Sequence, residues 1–198
     1  MTEPTQASPW IKSLVLFAVT LTTVIASLIF VVLHHEDGDS RVVFNLKNQV
    51  GIPTTQEDLA GKHLVVFFGF TSCRDTCPTQ MSKLSNVMAR LDQSGHGKHF
   101  TPVFISVDPE RDSEKKVAQY LKHFHEDFVG LTGSRPALKA AADRFKTLLE
   151  QAPKQPQPGY QIAHSSIFYL VDPYSRIVDF IPYGEDVDAI TKRLKRAV

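Results

Sequence analysis

The sequence predicts an α/β domain built on a sheet of mixed direction, carried behind a single apolar helix. Three features predict it. Leu64–Phe70 and Val103–Val107 are continuous apolar runs with the length and composition of strands buried on both faces. Segments of helical periodicity separate and follow these runs, the alternation that gives parallel pairing. Two short strands around Asp172-Pro173-Tyr174-Ser175 then form a hairpin, which adds antiparallel pairing.

The chain has 198 residues. Leu14–Leu33 is apolar apart from Thr and Ser and carries no charge. A helix of about 20 such residues crosses a hydrocarbon core of roughly 30 Å. Residues 14–33 therefore read as a transmembrane anchor, 1–13 as a short cytoplasmic N-terminus, 34–40 as a polar tether and 41–198 as the domain. Trp10 stands where an amphipathic aromatic meets the membrane interface. A cleaved signal peptide is the alternative, but it would have a more basic start, a shorter apolar stretch and a small-residue cleavage site. Lys12 before the span and Arg41 and Lys47 after it leave the orientation undecided by charge. An Arg-rich transit peptide is absent, which favours a bacterial inner membrane over a mitochondrial one.

Within the domain, Val42, Phe44 and Leu46 alternate with Asn45 and Lys47, so Arg41–Lys47 reads as a half-buried strand. Gly51-Ile52-Pro53 is a turn, and Thr55–Leu59 one helical turn stopped by Gly61. After Leu64–Phe70, Pro78 suits the first turn of a helix, where its missing N–H is no loss. Met81, Leu84, Val87, Met88 and Leu91 continue that helix toward Gly95. Asp112 or Ser113 caps a helix running to about His123, with Val117, Tyr120 and Leu121 on one face. Phe128–Leu131 is a short apolar piece, Pro136–Leu149 a helix, and Gln151–Gly159, with three prolines and a glycine, a loop. The hairpin strands are Ser166–Val171 and Arg176–Pro182. Asp186–Ala197 closes the chain as a helix with a basic C-terminal end, as the macrodipole favours.

Lys and Arg number 22 against 21 Asp and Glu, and the signs are interspersed, so no nucleic-acid footprint is present. Two cysteines rule out a disulfide framework. Both lie in Phe70-Thr71-Ser72-Cys73-Arg74-Asp75-Thr76-Cys77-Pro78, between a central strand and the first long helix. That is the thioredoxin arrangement, with three residues between the cysteines instead of two. The helix N-terminus and Arg74 both favour a thiolate, which lowers the expected pKa of at least one thiol. Such a pair can close a disulfide, hold a soft metal ion, or do both in turn. The alternative, two buried cysteines acting as small hydrophobes, fits poorly with the polar filler Arg-Asp-Thr.

Eight histidines are candidates for a third ligand. His34 and His35 flank the anchor. His63, His96 and His99 lie in polar turn-like stretches. His123 and His125 sit at a helix end, where a solvated cation is favoured. His164 stands where a strand begins after the Pro-rich loop, and loop residues held on a rigid scaffold often do chemistry. A surface or internally bonded histidine is the other reading of it.

Phe67-Phe68-Gly69-Phe70-Thr71-Ser72-Cys73-Arg74-Asp75-Thr76-Cys77-Pro78 resembles the hallmark of the Sco/SenC family of copper proteins. The resemblance continues through Ile105-Ser106-Val107-Asp108-Pro109-Glu110-Arg111-Asp112, Leu131-Thr132-Gly133, and His164-Ser165 before Phe168–Pro173. It covers nearly all of the soluble part. It implies a thioredoxin-like fold and a copper site made of Cys73, Cys77 and His164. It also implies a role in loading the dinuclear copper centre of cytochrome c oxidase subunit II, or in keeping that subunit's cysteines reduced. Arg74 stands where the family often has Pro, and Ala163 where it often has Asp. Asp75 and Asp108 are left as possible site acids, with solvated loop acids as the other reading.

Two thiolates and one imidazole make a soft three-coordinate set suited to Cu(I), and a carboxylate could complete a Cu(II) site. A structural zinc site would normally have four ligands. The expected function is thus a membrane-anchored copper metallochaperone with its domain in the periplasm. The alternative is a thiol–disulfide oxidoreductase using Cys73 and Cys77. His164 separates the two, because a dithiol reductase does not need it. Peroxide chemistry is a distant third, since no oxyanion-stabilising pocket is legible.

Overall fold

The protein is described by a computed structural model over residues 9–33, 41–149 and 159–198. The chain divides into two units, 1–39 and 40–198. Residues 1–8, the tether with His34 and His35, and all of the Pro-rich loop but Gly159 lie outside the described residues.

In the first unit, helix α1 (Pro9–Leu33) runs for 25 residues, with no acid in its first turn and no base in its last. At 1.5 Å per residue this is about 37 Å. Leu14, Phe17, Leu21, Val24, Leu28 and Phe30 are all exposed. Thr20, Thr22 and Thr23 donate their hydroxyls to the carbonyls of Phe17, Val19 and Thr20, so these polar groups are satisfied within the helix. The side chains of residues 9, 11, 12, 15 and 31–33 lie outside the description. Over the described residues alone, no helix is long and apolar enough to cross a membrane.

The second unit is thioredoxin-like: a mixed sheet with flanking helices. In chain order its elements are β1 (Asn45–Asn48), β2 (Pro53–Thr55), β3 (His63–Gly69), α2 (Thr76–Gln93), β4 (Phe100–Ser106), α3 (Glu114–Leu121), β5 (Val129–Thr132), α4 (Arg135–Arg144), β6 (Phe168–Val171), β7 (Ile177–Ile181) and α5 (Val187–Lys195). Among the described residues the strands form one sheet in the order β2-β1-β5-β4-β3-β6-β7. β3, β4 and β5 are parallel, while β1, β2, β6 and β7 join antiparallel. β3 lies between β4 and β6, with Phe67 paired to both Phe104 and Phe168. Its side chains from Leu64 to Phe68 are buried, as the unbroken apolar run requires. The rings of Phe68, Phe145 and Tyr169 meet edge to face at 5.1–5.8 Å and fill one layer of the core.

The helices follow their local signals. α2 buries Cys77, Gln80, Met81, Leu84, Val87, Met88 and Leu91 along one stripe. Ser113, Ser134 and Asp186 cap α3, α4 and α5, each accepting the backbone N–H three residues on.

Three readings need correction. Pro53–Thr55, expected to be turn and helix, is a strand, tolerated with its proline because β2 lies at the sheet edge. Val129–Thr132 is a full member of the sheet. Its Gly130 hid the strand pattern, and a Cβ there would meet Leu121 and Val117 of α3 at 2.5 Å, so the glycine lets that helix close on the sheet. The helix expected to reach Leu149 ends at Arg144. Lys146 takes φ +50°, Thr147 N–H bonds the Ala142 carbonyl, and the chain turns away. Leu149 instead forms a bridge with His164.

Candidate metal and thiol site

The cysteine loop begins where β3 leaves the sheet, and it is fastened from beneath. Asp112, fully buried just before the Ser113 cap, accepts the Thr71 N–H at 2.8 Å, the Thr71 hydroxyl at 2.5 Å and the Ser106 hydroxyl at 2.7 Å. Lys116 Nζ lies 3.8 Å from the same carboxylate and donates to Ser72 Oγ at 3.2 Å. The residues immediately before Cys73 are thus tied to the start of α3.

Neither cysteine is in a disulfide; Cys73 is partly exposed and Cys77 fully buried. The Cys77 N–H, one of the spare donors of the first turn of α2, points at Cys73 Sγ at 3.4 Å. The expected lowering of thiol pKa fails at Cys77. Burial pushes that thiol well above its ordinary value, and the nearby Cys73 and Asp112 push the same way.

Gly69 makes room for the buried sulfur. A Cβ there would stand 3.1 Å from Cys77 Sγ and 2.9 Å from the Phe104 ring. Gly69→Ala is therefore expected to destabilise the domain by about 1–3 kcal/mol, the usual cost of overpacking, and to displace the Cys77 sulfur. Chemical denaturation checks the first effect, and the rate of Cys77 alkylation the second.

His164 arrives from 87 residues away in sequence and places Nε2 3.5 Å from Cys77 Sγ. Its Nδ1 lies 3.1 Å from the Ser165 carbonyl, which can only accept, so Nδ1 carries the proton and Nε2 presents its lone pair to the sulfur. Burial lowers the imidazole pKa, partly offset by the Ser165 bond, which keeps the ring in the neutral form that binds metals. The rings of Phe67 and Phe70 meet it edge-on at 6.0 and 5.9 Å. Cys73, Arg74, Asp75, Thr76, Gly159 and Gln161 line an open cleft of about 310 Å³ over the exposed sulfur.

The possible site acids divide. Asp75 is exposed beside the cleft and makes no capping hydrogen bond. Asp108 is fully buried, with one oxygen bonded by Arg111 and the other by Tyr160, so it is neither a solvated loop acid nor a spare ligand. Sequence reasoning missed Tyr160 and Arg111, which no local pattern connects. Among the described residues, Asp92, His125 and Asp127 have donor atoms all within 4.8 Å of one another. There His125 Nε2 contacts Asp92 at 2.9 Å and Nδ1 accepts the Asp127 N–H at 3.3 Å, so both ring nitrogens are already engaged. His125 is thus a half-buried bonded residue and not a solvated helix cap.

Comparison with known proteins bears on this geometry. A family model described as SCO1/SenC matches residues 34–198. Protein SCO2 homolog, mitochondrial, of Danio rerio is 38% identical over 137 residues, covering 69% of this chain and 49% of that protein. The crystal structure of Arabidopsis thaliana ScoI with copper bound superposes with a TM-score of 0.73 at 34% identity, covering 79% of this chain and 96% of that one. BsSco, described as a member of the Sco family of cytochrome c oxidase assembly proteins with a disulfide switch, gives 0.63 at 26% identity, covering 79% and 92%. The chain spans about half the length of the curated relatives it matches.

Proposed function

Because the chain belongs to the SCO1/SenC family, we propose that it is a membrane-anchored copper carrier serving cytochrome c oxidase, with Cys73, Cys77 and His164 as the metal donors. One observation carries this reading: His164 Nε2 stands 3.5 Å from the sulfur of the buried member of a cysteine pair, while Nδ1 faces the Ser165 carbonyl. A dithiol reductase does not require that placement. Two sulfurs and one nitrogen suit Cu(I), and the partly exposed Cys73 under an open cleft gives an acceptor thiol a way in. The cargo passes by exchange of one thiolate ligand for another, and the acceptor is the dinuclear copper centre of oxidase subunit II. X-ray absorption on the reduced, Cu(I)-loaded protein should show two Cu–S contacts and one Cu–N contact. A shell of nitrogen and oxygen alone would remove the cysteines from the site.

The second reading is a dithiol reductase. The unequal exposure of the two sulfurs favours it, since Cys73 can attack a partner disulfide and Cys77 can resolve the mixed disulfide. The pair then gives up two electrons and two protons and closes as Cys73–Cys77.

Leu14–Leu33 serves as a single-pass anchor in a bacterial inner membrane, with the N-terminus in the cytoplasm and the domain in the periplasm. The uncharged, apolar sequence of residues 14–33 supports this. Protease added to spheroplasts should degrade the domain, and protection would reverse the topology.

A further inference from the structure

The segment that carries His164 has little regular structure to hold it. Among the described residues, its pairing between Gly159 and Ser165 is a single bridge, His164 with Leu149, reinforced where Ser165 N–H donates to the Leu148 carbonyl and Ser165 Oγ accepts the Leu148 N–H, each at 3.0 Å. These bonds fix the far end of the arm. The near end begins at Gly159, with φ +82°, and is fixed by something else.

Tyr160 is gripped at three points by one ion pair. Its hydroxyl donates to Asp108, and Arg111 Nε donates to the other oxygen of that carboxylate. Arg111 Nη1 donates to the Tyr160 carbonyl at 3.0 Å, and the guanidinium carbon lies 3.5 Å from the Tyr160 ring centroid. The same guanidinium stands 5.5 Å from the centroid of Phe70, whose ring meets His164 edge-on. A planar fork that bonds a carboxylate while stacking on an aromatic face is chemistry that lysine cannot reproduce. Asp108 is fully buried, and Arg111 and Tyr160 bond its two carboxylate oxygens, while its backbone N–H donates to the Ser106 hydroxyl.

We propose that Arg111, Asp108 and Tyr160 form a clasp that holds the His164 arm at the cysteine pair, making them positioning residues for the metal donor. The inference rests on reading His164 as a copper ligand. Asp108 and Arg111 sit at the end of β4, next to the cysteine loop, and they reach the arm four residues before the imidazole. With Ile162 buried between, the arm has little freedom left. Opening the clasp frees the near end to pivot at Gly159 and lets the imidazole drift from Cys77 without touching either sulfur.

The test uses the reduced full-length chain in detergent micelles, with Tyr160→Phe, which keeps the ring and removes the hydroxyl, and Arg111→Lys, which keeps the charge and removes the fork and the stack. Two quantities are read: Cu(I) affinity by competition with a chromogenic chelator, in the wild-type and His164→Ala backgrounds, and nuclear Overhauser contacts between the His164 ring and Phe67 and Phe70 without metal. Each variant should lose about tenfold in Cu(I) affinity in the wild-type background and nothing further beside His164→Ala, with weakened ring contacts. Intact ring contacts in a folded variant, unchanged affinity, or an equal loss in both backgrounds would overturn the clasp. Failure of the wild-type protein itself to take up Cu(I), with ring contacts still lost in the variants, would overturn the copper reading and leave the clasp standing. If Tyr160→Phe does not fold, Arg111→Lys decides by the same readings.

Discussion

Replacing His164 by Ala should cut Cu(I) affinity by more than the roughly 10–100-fold that follows loss of a group merely supporting a metal ligand. The substitution removes the lone pair that faces Cys77 Sγ and leaves two sulfurs alone. It should not stop the cysteines from forming a disulfide. Both belong to one short loop at the start of α2, and the Cys77 N–H already points at Cys73 Sγ. Chelator competition and a thiol count after mild oxidation read the two halves separately. Cells carrying the substitution should fail to load oxidase with copper. Normal oxidase in a His164→Ala strain, beside failure in a Cys73→Ser strain, would make dithiol reduction the function.

Asp112→Ala should produce the largest loss of stability, about 3 kcal/mol, because it orphans the Thr71 N–H, the Thr71 hydroxyl and the Ser106 hydroxyl together. For a domain of this size the midpoint of thermal unfolding should fall by about 10 °C. The damage should also reach the site. Thr71 lies two residues before Cys73, and Lys116, which bonds Ser72, loses the carboxylate it faces. A looser loop should alkylate faster at Cys73. Asp112→Asn keeps one acceptor oxygen and should lose about half as much stability. A thermal midpoint unchanged in Asp112→Ala would mean that the buried carboxylate is not what ties the loop down.

The parts of this fold that local chemistry dictates were legible in the sequence. Leu64–Phe68 is buried because no polar residue interrupts it, and α2 follows its apolar stripe. What escaped was decided by neighbours distant in sequence. Gly130 looks like a strand breaker until α3 is seen to need the space of its missing side chain. Leu148 and Leu149 continue a helical pattern, yet they turn out to receive the His164 arm. The two cysteines announced themselves by spacing, whereas the pairing of His164 with them was implied only by the family resemblance. Asp108 was misjudged for the same reason, since its partner Tyr160 lies 52 residues on. Cys77 is not the acidic thiol that a helix N-terminus favours, because the space above Gly69 lets its sulfur sink into the core.

The 87-residue separation between Cys77 and His164 also bears on biogenesis. During synthesis the two thiols emerge first and are adjacent from the start. The imidazole can join them only once the chain has been made through His164, 87 residues beyond Cys77. A nascent or misfolded chain therefore offers a scavenging ion a bidentate thiol pair and nothing more. On the proposed copper reading, the full donor set exists only in chains folded through His164, so cargo uptake would follow folding.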